Sequence, residues 1–93
     1  MKQLASFRNN VDKRRFELQL GQAIAVVEYI LERNALIIYN TEIPDTISSI
    51  ENINVLLINE IIDHCRLSRT ELIIQCPFAK AIFESLQRDA QME

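Results

Sequence analysis

Three apolar stretches follow one another in the first half of the chain with almost no room between them. That spacing decides most of what the chain can fold into. Residues 14–20 alternate: Phe16, Leu18 and Leu20 point one way, and Arg15, Glu17 and Gln19 the other. Period two marks a strand with one buried face. Gly21 comes next, the only glycine in the chain. It takes positive φ without a Cβ clash, so Leu20-Gly21-Gln22 reads as a hairpin turn. Residues 23–31 form the next strand, with Ile24, Val26 and Ile30 on one side and Ala25, Val27, Tyr29 and Leu31 on the other. Apolar residues on both faces imply a central position. Glu32-Arg33-Asn34 makes a second turn, where Asn34 is the residue best suited to left-handed geometry. Residues 35–42 are the third strand, built on Leu36, Ile37, Ile38 and Tyr39, and Pro44 ends it.

The second half changes period. Over residues 49–66, Ile53, Leu57 and Ile61 fall on one helical stripe with Ile58, Ile62 and Cys65 beside it. Asn52, Asn59, Glu60, Asp63 and His64 fall mostly opposite. A short strand is expected over residues 71–75, after a connection at 67–70. A last helix is expected from Pro77 to about Arg88, with Phe78, Ile82 and Leu86 at fourfold spacing beside Ala79 and Phe83. The order β-β-β-α-β-α contains one strand–helix–strand unit, which calls for a parallel crossover. The expected fold class is therefore α/β (α+β): a small mixed sheet with helices to cover it. The expected organisation is a polar N-terminal segment over residues 1–12, either a loose tail or a short edge segment. A single domain over 13–88 and a charged tail over 89–93 complete it.

Ninety-three residues, 48% of them hydrophobic, can bury one core with little stability to spare. No apolar window is long enough to span a bilayer, and residues 1–10 lack the apolar block of a secretory signal, so the expected compartment is the cytoplasm. The formal charge of −3 argues against broad phosphate-backbone binding, and Lys13-Arg14-Arg15 reads as a solvated strand edge rather than a nucleic-acid patch. Two cysteines make no disulfide framework. The single His64 has no ligand-spaced Cys or His partners for a metal. With Glu60 one turn earlier, His64 reads as an exposed member of a polar row.

Three places could carry chemistry. The end of the third strand, Asn40-Thr41-Glu42-Ile43-Pro44, puts polar residues at the carboxyl edge of a sheet that contains a crossover, where ligands gather. The bland alternative is a strand leaving the core. The start of the first helix, residues 48–54, is a natural anion site, but it has no glycine to let a phosphate approach. Ser48 and Glu51 instead fit the capping box S-x-x-E, which reads as a self-capped helix. Cys76-Pro77 places a thiol at a strand end and a helix N-cap, with Pro77 at the first helical position. There the thiolate is favoured, unless Cys76 is simply a small buried apolar residue, as Cys65 is expected to be.

These places coincide with the signatures of one family. Arg15-Phe16-Glu17-Leu18, Gly21, Ala23, Val27-Glu28-Tyr29, Leu31-Glu32, Asn40-Thr41-Glu42-Ile43-Pro44, Asp63, Arg66 and Cys76-Pro77-Phe78 resemble, in order and spacing, the short single-domain GCN5-related N-acetyltransferase-like proteins. The family's motifs are H-T-E-V-P, G-R-G-I-G and C-P-F. The resemblance covers about residues 11–84. It implies a fold that holds acetyl-coenzyme A in a cleft. Thr41, Glu42 and Ile43 would lie along the acetyl-pantetheine arm, residues 50–54 would stand at the pyrophosphate loop, and Cys76 would lie near the thioester. Asn52, Ile53 and Asn54 are the coenzyme-binding candidates in that loop. Cys76 and Glu42 are the catalytic candidates, the first to orient the thioester or accept the acetyl group, the second as general base. The chain departs from the family at Asn40, which replaces a histidine and cannot act as a base near neutral pH. It departs again in the loop, where all three glycines are lost and Glu51 replaces an arginine. Two readings result: an acetyl-CoA-dependent N-acetyltransferase acting on a small-molecule or protein amine, or a degenerate interaction module that pairs with itself or with a protein partner. Neither involves nucleic acid, a membrane or a metal.

Overall fold

A computed structural model describes residues 5–48 and 53–91. Its elements are β1 (Ser6–Asn10), β2 (Arg15–Leu20), β3 (Ala23–Glu32), β4 (Ala35–Glu42), α1 (Asp45–Ser48), α2 (Ile53–Ser68), β5 (Glu71–Ile74) and α3 (Pro77–Gln91). The strands form one sheet in the order β1-β2-β3-β4-β5. The first four are antiparallel, and β5 runs parallel to β4. This is the mixed α/β architecture expected from the sequence, with β3 at its centre.

The two tight hairpins form as the spacing requires. Gly21, at φ 64°, turns β2 into β3, which pair from Leu20↔Ala23 to Arg15↔Glu28. Arg33-Asn34 turns β3 into β4, but the left-handed residue there is Arg33, at φ 53°, and not Asn34. The N-terminal segment contains an edge strand. β1 pairs with β2 from Ser6↔Gln19 to Asn10↔Arg15, and Phe7 stacks on Phe16 with ring centroids 5.6 Å apart.

Both long helices cover the same sheet face. Phe16 and Leu18 from β2, Val27 and Tyr29 from β3, and Leu36 and Ile38 from β4 join Leu57, Ile58 and Ile61 of α2 and Ala79 of α3 in one buried cluster. Ile82, Phe83 and Leu86 of α3 pack against it, half-buried. The opposite sheet face stays open, with Ile24 40%, Ile30 43% and Tyr39 46% exposed. β3 is thus central in the sheet without being covered on both sides. Among the described residues no helix is long and apolar enough to cross a membrane.

Three side chains depart from their expected places. Glu17 points to the open face, as alternation requires, yet it is only 4% exposed. Arg8 Nε donates to its Oε1 at 2.6 Å. Arg15 Nε and Asn10 Nδ2 donate to its Oε2 at 2.7 and 3.1 Å. These long side chains close over the carboxylate and satisfy it, which a buried charge requires. His64 does not stand in a solvent-exposed row. It is half-buried, and its ring meets Phe16 edge-on at 5.2 Å. Phe78 breaks from the core stripe of α3 and is 47% exposed.

The helices also differ at their ends. Of the first expected helix, residues 49–52 lie outside the described residues, among them Glu51 of the capping box, while Ser48 closes the short α1. α2 continues to Ser68. It stops where Arg69 adopts φ 56° and the N–H groups of Thr70 and Arg69 donate to the carbonyls of Cys65 (2.9 Å) and Arg66 (3.3 Å). This is a Schellman cap with arginine in the glycine position. α3 runs to Gln91, beyond its expected end.

Candidate functional site

The site grows from an interruption in β4. Tyr29 pairs with Ile38, but Glu28 pairs with Asn40, so Tyr39 is an extra residue in β4. A bulge of this kind bends the strand and re-aims the residues beyond it. On its other side β4 pairs with β5 only from Ala35 to Ile38. The Ile38 carbonyl accepts the N–H groups of both Gln75 (2.8 Å) and Cys76 (3.2 Å), and the chain then turns into α3. Beyond that point β4 and the start of α3 diverge, and among the described residues no strand pairs with Asn40 to Ile43 on that edge.

The divergence opens a cavity of about 220 Å³ lined by Thr41, Ile43, Asn54 and Phe78. Beside it are two buried polar atoms, Thr41 Oγ1, which faces the Cys76 thiol, and Asn54 Oδ1, and neither makes a well-formed hydrogen bond among the described residues. Such atoms cost roughly 1–3 kcal/mol each when left unsatisfied, so they mark a place suited to a polar ligand or to water.

Cys76 lies at the base of the same divergence and is buried. Its carbonyl accepts the Lys80 N–H at 2.9 Å, which makes it the N-cap of α3, with Pro77 in the first helical position where no N–H is needed. Burial alone would push its thiol up. The Thr41 hydroxyl, the backbone N–H groups of Ala79 and Phe78, and the Thr41 N–H outweigh burial and hold the thiol below its ordinary value. Cys65 is the contrast: buried in the core without such donors, its thiol is pushed up by burial.

The structure thus brings together Thr41, Ile43, Asn54 and Cys76. It does not bring Ile53 to the cavity, because Ile53 is a core residue of α2. Asn52 lies outside the described residues. Glu42 is on the other side of β4, where a second cavity of about 620 Å³ is lined by Arg15, Ile24, Val26, Thr41, Glu42, Ile43 and Pro44. Asn40 is engaged, its Nδ2 donating to Glu28 Oε1 at 2.7 Å. The sequence reading missed the lining roles of Phe78 and Arg15. Helical spacing assigned the first to the core and strand alternation assigned the second to a solvated edge.

A family model for GCN5-related N-acetyl-transferases matches residues 15–92. The chain belongs to that family. The match begins at the first residue of β2, so β1 lies before it, and it takes in the bulge, both cavities and α3. No curated protein and no solved structure matches the chain.

Proposed function

We propose that this member of the N-acetyltransferase family binds acetyl-coenzyme A between β4 and α3 and acts as an N-acetyltransferase on an amine. The observation that carries the reading is the buried Asn54 Oδ1, without a hydrogen-bond partner among the described residues, and the Thr41 hydroxyl beside the Cys76 thiol, at a cavity opened by the parting of β4 from α3. The cavity is smaller than the ~300–1,000 Å³ of pockets that enclose a drug-sized ligand. It suits the end of a ligand arm, with the remainder lying outside. The described residues fit the arm near its thioester end: the Thr41 hydroxyl would donate to a carbonyl and Asn54 Oδ1 would accept an amide N–H of the ligand, with Phe78 at the wall. Of the residues assigned to the pyrophosphate loop, 50–54, residues 50–52 lie outside the described residues, Ile53 is in the core, and Asn54 lines this cavity instead. When bound, the coenzyme supplies an acetyl group activated as a thioester. Thr41 and Cys76 would orient it. Polarising donors fixed in advance in a buried site are the largest contribution a scaffold makes to acyl transfer. Glu42, which lines the second cavity on the other side of β4, would take a proton from an amine approaching from that side, directly or through a water.

A second reading is favoured by Cys76 itself. Its sulfur already faces the N–H groups of Phe78 and Ala79, as a capping side chain would, so the thiol has a structural role that needs no ligand. A scaffold of this kind without coenzyme binding would serve as an interaction module.

Titration with acetyl-coenzyme A, followed by amide NMR shifts and calorimetry, separates the two. Saturable binding with shifts at Thr41, Ile43, Asn54 and Cys76, and reduced affinity in Asn54→Ala, is the expected result. An unchanged spectrum and an unchanged melting temperature at millimolar coenzyme would remove the transferase reading and leave the module.

A further inference from the structure

The larger cavity, on the open face of the sheet, has a charge arrangement of its own. It shares Thr41 and Ile43 with the smaller one, so the two meet at the same stretch of β4. Arg15 is at one end. Its Nε is given to Glu17, and its two terminal nitrogens make no hydrogen bond or ion pair among the described residues. Its cross-strand neighbour Glu28 is bonded by Asn40 and makes no ion pair with it. At the other end Glu42 is exposed and has no hydrogen bond or ion pair among the described residues. Between them runs β3, with Val26 paired to Glu17 on one side and to Glu42 on the other, and Ile24 also lines the cavity. Neighbouring strands lie ~4.8 Å apart, so β2 and β4 are separated by about 10 Å. Arg15 and Glu42 stand across this apolar strip and make no ion pair with each other among the described residues.

The complement of that arrangement is one small molecule with an anionic group, an apolar stem and an ammonium. We propose that this cavity binds an amino-carboxylate as the acetyl acceptor, its carboxylate on the free fork of Arg15 and its amine beside Glu42, next to the Thr41–Ile43 boundary. The acceptor role rests on the transferase reading, but the binding does not.

The test uses the full chain without coenzyme and three probes of matched stem: 6-aminohexanoate, hexylamine and hexanoate. The expected result is that 6-aminohexanoate shifts the amides of Ile24, Val26 and Glu42 and binds about fivefold tighter than either single-charge probe, the size expected of one exposed ion pair. Glu42→Gln, a change at an exposed side chain, should weaken 6-aminohexanoate by a similar factor and leave hexanoate unaffected. Equal binding of all three probes, shifts confined to other residues, or indifference to Glu42→Gln would overturn the proposal. Because coenzyme is absent from this titration, its failure leaves the acetyl-coenzyme A reading standing. A failed coenzyme titration likewise leaves this binding intact and removes only the acceptor role.

Discussion

Glu17 and Cys76 are acidic groups in low-exposure positions, and each is held toward its charged form by donors from more than one element. For Glu17 the Arg8 guanidinium contributes most, then Arg15, against the opposing push of burial, with Asn10 assisting, and the carboxyl is lowered from 4.5 to about 2. A folded-state value below the unfolded one means that the stabilisation is fully present above about pH 4.5 and disappears as pH falls toward 2. Arg8 is largely exposed, so solvent screens part of the gain, and about 2 kcal/mol is a reasonable size. Glu17→Gln should therefore lower the urea midpoint at neutral pH, with the gap to wild type closing between about pH 4.5 and 2. A gap that persists at pH 2 would mean that shape, not ionisation, matters at this position. For Cys76 the expected outcome is spectroscopic. In Cys65→Ser the thiolate absorbance of the remaining cysteine should rise at a pH below that of an ordinary thiol. In Cys76→Ser the remaining Cys65 should titrate above it. Coincident titrations would contradict the donor arrangement around Cys76.

At the scale of elements, the end of α2 offers a direct check. Arg69 occupies a left-handed position that glycine fills at little steric cost, and a residue with a Cβ pays roughly 1–2 kcal/mol there. Arg69→Gly should stabilise the chain by about 1 kcal/mol after the greater freedom of glycine in the unfolded state is counted. Arg69→Ala should change it little, and a destabilised glycine variant would show that the Arg69 side chain contributes more than its backbone geometry costs. The same element shows where sequence reading reached its limit. Hairpins were legible because turns of two or three residues leave neighbouring strands no other partner, and the helices because their apolar stripes are long. The cap at Arg69 carries no glycine and so gave no stop signal. The bulge at Tyr39 sits in an apolar run whose period cannot show an inserted residue, although it re-aims Thr41. Burial of Glu17 depends on Arg8 and Asn10 of β1, a strand too polar to announce itself. In the site, Thr41, Ile43 and Cys76 stood out from strand-end and N-cap chemistry. Phe78 did not, because apolar spacing cannot distinguish a residue that packs on the core from one that walls a cavity.

Across the whole molecule, β1 lies before the part of the chain that matches the family, and yet the core depends on it. The Tyr29 side chain is enclosed between Phe16, at 4.8 Å, and its neighbours, and its hydroxyl donates to Asn9 Oδ1 at 2.6 Å. Tyr29 is one of the largest fully buried side chains. Its hydroxyl therefore has a partner only while β1 is docked, just as Glu17 has Arg8 and Asn10 only then. Asn9→Ala leaves a buried donor unsatisfied and should cost about 1–3 kcal/mol, which for a domain of this length corresponds to a fall in Tm of at least about 4 °C. Tyr29→Phe removes the hydroxyl while keeping the ring on Phe16. In the Asn9→Ala background it should therefore cost less than it does alone, and the double-mutant cycle should show coupling of about 1 kcal/mol. The coupling separates two views of β1. If β1 only shields the sheet edge, the two substitutions add without interaction. If it completes the polar contacts of a core that the rest of the chain leaves unfinished, they do not.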